Sequence, residues 1–89
     1  MHPKHYSFED EDYKDWIRDR PCIVCGVERC DPHHAWHANK NDYLSVPLCR
    51  EHHSECHSNG VETFENKHLI KFLYIIILLL ISYITGLKK

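Results

Sequence analysis

A small α+β domain stapled by a metal ion is the fold class this sequence predicts, on three observations. Eighty-nine residues allow one domain, and a chain so short buries only a modest fraction of its surface, so disulfides, metals or association usually assist. Five cysteines and nine histidines are present, many at spacings that suit chelation. Short segments of helical and of strand-like pattern alternate with turn residues before an apolar C-terminal run.

Taken in order, Ser7-Phe8-Glu9-Asp10 reads as a helix start, with Ser7 as N-cap and acids in the first turn. Tyr13, Trp16 and Ile17 follow at i, i+3 and i+4, a stripe suited to core packing, and Pro21 ends the helix. Cys22 to Val27 is a C-x-x-C-G turn, the usual form of a zinc knuckle. Residues 30–48 mix His, Asn, Asp and Pro with short apolar runs such as Tyr43-Leu44-Ser45-Val46, which predicts an irregular β-hairpin or loop. Cys49 to Asn59 suits a short helix stopped at Asn59-Gly60. Val61 to His68 predicts a turn and a short helix with Phe64 inward. The chain then divides into a domain over 1–68 and an apolar C-terminal helix over 69–89.

Charge and cysteine usage narrow the function classes. The net charge is −2: six acids against four bases over 1–20, seven against four over 21–68, and three lysines over 69–89. No basic stripe of the kind that drives non-specific DNA affinity is present, which weighs against tight duplex binding. It weighs less against an enzyme whose bound cations supply positive charge where a phosphate sits. An odd cysteine count suits a closed disulfide framework poorly, and MHPKHYSFEDED has no apolar signal region. A cytoplasmic, reducing setting is the expectation, in which clustered Cys and His act as metal ligands.

Two ligand sets separate by spacing. Cys22-x2-Cys25 and Cys49-x2-His52 are two chelating pairs, each able to hold one edge of a tetrahedral structural zinc. In so small a chain that site would supply much of the folding free energy. Free buried thiols or a disulfide are the competing readings; Cys30 could replace one ligand, and Cys56 suits a small core position. The second set is His33-His34 with His53-x3-His57. On a helix His53 and His57 share a face, whereas His52 points about 100° away and can serve the zinc. Adjacent residues of an extended segment point to opposite sides, so one of His33 and His34 can complete a three-histidine site while the other stays free. A free neutral imidazole can deprotonate water at physiological pH, and a cation can steady a pentacovalent phosphate. Chance clustering and a second, purely structural zinc are the alternatives.

The segments P-C-I-V-C-G (21–26), D-P-H-H (31–34), N-D-Y-L-S-V-P-L-C (41–49) and E-H-H-S-E-C-H (51–57) resemble HNH endonucleases, from about Tyr13 to His68. The likeness is greatest to phage and prophage members, including those linked to recombination enhancement, and the histidine arrangement is also similar to that of colicin DNases. The resemblance implies a zinc-stapled ββα-metal (His-Me finger) core and a metal-dependent, weakly specific DNA endonuclease. It implies His34 as general base and His33, His53 and His57 as ligands of one catalytic divalent metal (Mg, Mn, Ni or Zn). Cys22, Cys25, Cys49 and His52 match the structural zinc positions. The polar residue that orients the base falls at Asn41 or Asp42, with Asp42 favoured. The segment between His34 and Asp42 is shorter and less basic than is usual in the family, and His37 takes no family role. The implied partner is DNA, double- or single-stranded.

Phe72 to Leu87 is sixteen residues without a charge, flanked by Lys71 and by Lys88-Lys89. It spans roughly 24 Å against a hydrocarbon core of about 30 Å, and adding Leu69 to Lys71 brings it close. A packed helix, a membrane tail anchor through 69–87 and a homodimer helix remain three readings. Two rivals to the nuclease also stand: a non-catalytic zinc module for nucleic acid or protein, and a membrane-anchored zinc protein with a degenerate site.

Overall fold

The computed structural model describes residues 8–37 and 40–87. The chain is α+β: helix α1 (Glu11–Arg18), strand β1 (Asp31–His34), strand β2 (Ser45–Leu48), and helices α2 (Arg50–Asn59), α3 (Val61–His68) and α4 (Phe72–Leu87). Two single 3₁₀ turns, Ala35–His37 and Asp42–Leu44, lie between the strands.

The first helix starts later than its sequence suggests. Phe8 is extended and bridged to Asn41, donating its N–H to the Lys40 carbonyl (2.8 Å) and accepting from the Asp42 N–H (2.8 Å). Asp10 is therefore the N-cap, its carboxylate accepting from the Tyr13 N–H at 2.9 Å. Ser7, the expected cap, lies outside the described residues. Tyr13 and Ile17 are fully buried, as the stripe predicts.

The strands form an antiparallel pair in which His33 faces Val46, His34 faces Ser45 and Pro32 faces Pro47. Neither proline can donate, so pairing them spares a ladder bond. The Pro47 carbonyl instead accepts from the Ile23 N–H (3.1 Å), which fastens the 22–26 turn to β2. All of β2 is buried, because it has β1 on one side, the cysteine turn on the other, and α1 and α4 across it.

Gly60, at φ +88°, ends α2 and opens α3, a left-handed angle that a Cβ would strain. Phe64 of α3 is buried, as expected. Leu69, also left-handed at φ +57°, then breaks the apolar run. Glu65 fixes the break: its carboxylate accepts from the Phe72 N–H at 2.6 Å and so caps α4. Leu69 to Lys71 thus do not lengthen the C-terminal helix. No single described helix is long and apolar enough to cross a membrane; α3 and α4 together would be, but they meet at 83°. Phe72 and Ile76 join Leu48, Cys56 and Phe64 in the core, and Tyr83 sets its ring edge against Tyr13, 4.8 Å between centroids.

Candidate metal centres

The first cluster is built by a turn, a strand end and a helix start. The Gly26 N–H bonds the Cys22 carbonyl (2.9 Å) and Gly26 takes φ +78°, closing the turn so that Cys22 and Cys25 face one point. Cys49 follows β2 directly and is the N-cap of α2, which puts His52 one turn on. The Cys25 and Cys49 sulfurs lie 3.9 Å apart, and His52 Nδ1 is 3.7 Å from Cys22 Sγ and 3.1 Å from Cys49 Sγ. Corners of a zinc tetrahedron with these donors are about 3.8 Å apart between sulfurs and about 3.5 Å between sulfur and nitrogen. The four residues could hold a metal ion such as zinc.

The thiols differ in acidity. Burial works to raise Cys22, but backbone N–H groups of Cys49, Cys25 and Val24 and the Cys25 thiol bring it down to about 6. The Val24 N–H lies 3.4 Å from its sulfur. Cys30 is pushed up to about 11, mainly by burial, and its sulfur donates to the Val27 carbonyl (3.4 Å). It stays a thiol outside the cluster, so it replaces none of the four.

The second cluster is His33, His53 and His57. His53 and His57 stack one turn apart on α2 with centroids 4.7 Å apart and their Nε2 atoms at 2.9 Å. That is close to the roughly 2.9 Å between adjacent corners of an octahedral site and shorter than the roughly 3.3 Å tetrahedral edge at the same bond length. His33 meets both rings edge-on from β1, at 4.8 and 5.1 Å. Its Nε2 is 3.5 Å from the sulfur of Cys56, which is buried as expected. His53 is lowered from its ordinary value by burial and by the neighbouring His57, with Asp31 opposing. The Asp31 carboxylate lies 3.6 Å from His53 Nδ1, too far for a hydrogen bond but near enough to oppose that lowering through its charge.

His34 turns the other way from His33. Its Nε2 is 2.9 Å from the Asp42 Oδ1. Asp42 is 2% exposed, and its second oxygen accepts from the Asp10 N–H at 2.7 Å, with Lys14 Nζ at 4.0 Å. Burial works to raise this carboxyl, but the His34 and Asp10 hydrogen bonds and the Lys14 charge hold it below the ordinary value. Asp10 is held low as well, chiefly by the Tyr43 hydroxyl, which donates to it at 2.6 Å. Asn41 is not at this site: its side chain accepts from the Tyr43 N–H (3.0 Å) and caps the 3₁₀ turn. His33, His34, His57 and Trp36 share the wall of one shallow pocket of about 70 Å³.

Four residues near these sites had gone unread in the sequence. Asp10 and Asp31 are remote acids whose roles depend on chain contacts. Glu55 and His68 approach His52 from behind: Glu55 takes a 2.6 Å bond from Lys67 Nζ and 3.2 Å contacts from His68 Nε2. These partners satisfy the carboxylate, so the trio reads as a support behind the His52 ring. His37, whose side chain is outside the described residues, remains without a role.

Comparison with known proteins adds the following. A family model described as a protein of unknown function (DUF968) matches residues 1–86. The uncharacterized protein YdfU of Escherichia coli (strain K12) is 36% identical over 73 residues, covering 74% of this chain and 21% of that protein. The chain thus spans about a fifth of the curated relative it matches. No solved structure matches it.

Proposed function

We propose that this chain, which belongs to the DUF968 family, is a metal-dependent endonuclease that hydrolyses DNA phosphodiester bonds with little sequence preference. The observation that carries the reading is the His34–Asp42 contact beside a three-histidine cluster, with His34 sharing one pocket with His33 and His57 of that cluster. A zinc module that only binds a partner has no use for a buried carboxylate aimed at an unclustered histidine. The chain order also suits a ββα-metal core, since the hairpin presents His33 and His34 and the following helix presents His53 and His57.

The residues divide the work as follows. Asp42 is ionised at neutral pH, hence an acceptor only, so it selects the His34 tautomer with the proton on Nε2. The Nδ1 lone pair is then the base. It takes a proton from water, the resulting oxygen attacks phosphorus, and the bond to the leaving sugar oxygen breaks. A divalent cation held by His33, His53 and His57 would supply the positive charge that steadies the phosphorane and the leaving oxygen. Cys22, Cys25, Cys49 and His52 would hold a structural zinc. The acidic balance of the chain gives DNA little purchase, in keeping with low affinity and low specificity.

The test is plasmid nicking by purified protein in EDTA and then with Mg²⁺, Mn²⁺, Ni²⁺ or Zn²⁺, with His34→Ala in parallel. Metal-dependent nicking that the variant lacks is the expected result. Folded, zinc-loaded protein that nicks with none of the four would turn the reading to a binding module.

A further inference from the structure

Helix α4 keeps one side in the core and leaves the other bare. Phe72 and Ile76 are buried, Ile75, Leu79 and Leu80 are partly buried against the core, and Tyr83 rests on Tyr13 and Trp16. Leu73, Tyr74, Ile77, Leu78, Ile81 and Ile84 are each between 47% and 65% exposed. At 100° per residue these six centre on the side opposite the buried set. Within them Tyr74, Ile77, Ile81 and Ile84 fall at intervals of three, four and three, the a/d seam by which two helices pack, with Leu73 and Leu78 flanking it. Single exposed apolar residues are ordinary, but a contiguous stripe of six is not.

We propose that this stripe is an interface between two copies of this chain, joined α4 to α4 about a twofold axis. At roughly 100 Å² of uncovered surface per side chain, the face offers on the order of 600 Å². Two such faces would bury about 1,200 Å², enough for a specific though modest dimer. The run 72–87 carries no charge, so no like charges meet within the seam itself. Thr85 does not bring an unpaired hydroxyl to the seam, since its Oγ1 donates to the Ile81 carbonyl at 2.8 Å. A twofold contact also closes on itself, which caps assembly at a dimer. Lipid fits less well. The helix is too short to span, its other side is occupied by α1 and β2, and it lacks the basic polar face of helices that lie on membranes.

Sedimentation of the zinc-loaded, 89-residue chain tests this. At roughly 100 µM the expected mass is twice the 10.6 kDa of one chain, falling toward one chain on dilution. Ile77→Glu with Ile81→Glu should be monomeric throughout with unchanged far-UV circular dichroism and zinc content, because both side chains are exposed. Ile81→Ser, which adds no charge, should raise the dissociation constant at least tenfold and serves if the double variant loses its fold. A chain monomeric at the highest concentration, or a dimer indifferent to these substitutions, would overturn the proposal. So would flotation of the monomer with phosphatidylcholine–phosphatidylglycerol vesicles, which would assign the face to lipid.

Discussion

Asp42→Asn should silence the proposed base while leaving the fold in place, for a reason fixed by two hydrogen bonds. In the native chain both carboxylate oxygens accept, one from the Asp10 N–H at 2.7 Å and one from His34 Nε2 at 2.9 Å. An asparagine has one acceptor and one donor end. The Asp10 N–H cannot change its polarity, so the amide oxygen must face it and the NH₂ must face His34. His34 then accepts at Nε2 and carries its proton on Nδ1, which leaves no lone pair for water. Loss of a general base costs typically 10² to 10⁴ in rate, and the wrong imidazole tautomer in a Ser-His-Asp triad costs about 10⁴. The fold should lose only about 1.5–3 kcal/mol, the worth of a charge-assisted hydrogen bond. Nicking at saturating metal gives the rate, and ¹⁵N shifts of His34 give the tautomer independently of any activity. A variant with the flipped tautomer that nicks within threefold of wild type would refute the reasoning. An unflipped tautomer would refute the hydrogen-bond argument itself.

Cys49→Ser should release the zinc and unfold the chain, because structural zinc contributes about 10–16 kcal/mol in small modules against a usual domain stability of about 5–15 kcal/mol; metal analysis with circular dichroism reads both, and a folded zinc-free variant would contradict it. His53→Ala should keep that zinc yet lose binding of added Mn²⁺, as followed by paramagnetic resonance of the free ion. Tyr43 and Tyr13 are both raised from 10.0 to about 12, Tyr43 by its bond to Asp10 and Tyr13 by burial. Their neutral forms therefore stabilise the fold fully below pH 10, and that contribution is lost as pH climbs from 10 toward 12. Tyr83 is raised as well, mainly by burial. Absorbance titration should therefore show late tyrosines that include Tyr13 and Tyr43, and Tyr43→Phe should remove one of them at a cost of about 1 kcal/mol at neutral pH.

What the sequence revealed was whatever depends on short spacing. C-x2-C, C-x2-H and H-x3-H fix distances within one turn of chain, and the structure gathers those six residues into the two expected clusters, with His33 of β1 completing the second. The 100° step from His52 to His53 sends neighbours to different clusters for the same reason. Contacts between distant segments were not legible. Whether Asn41 or Asp42 reaches His34 is decided by the Phe8–Asn41 bridge, which leaves Asn41 to cap a turn and swings Asp42 inward. The same bridge keeps residues 8–10 extended and moves the cap of α1 from Ser7 to Asp10. The break at Leu69 was hidden too, because a left-handed leucine has no signature in an apolar run; Glu65, capping from the preceding helix, is what makes it stable.

The two clusters also belong to one mechanical unit. A metal ion on Cys22, Cys25, Cys49 and His52 would fasten the first turn of α2 to the cysteine turn, and that turn is bonded to β2 through Ile23 and Pro47. Position and rotation of α2 against the hairpin are thereby set at its N-terminal end. A helix fixed in rotation there is fixed one turn later, so the first cluster decides whether His53 and His57 face His33. The rest of α2 is held by fewer buried groups: Cys56 is its buried residue among the described positions, and Glu55 ties it to Lys67 and His68 of α3. If zinc occupies the first cluster, its removal should therefore abolish any cation binding at His33, His53 and His57 even though those three residues are unaltered. The converse does not follow, because the second cluster lies on elements the first has already placed.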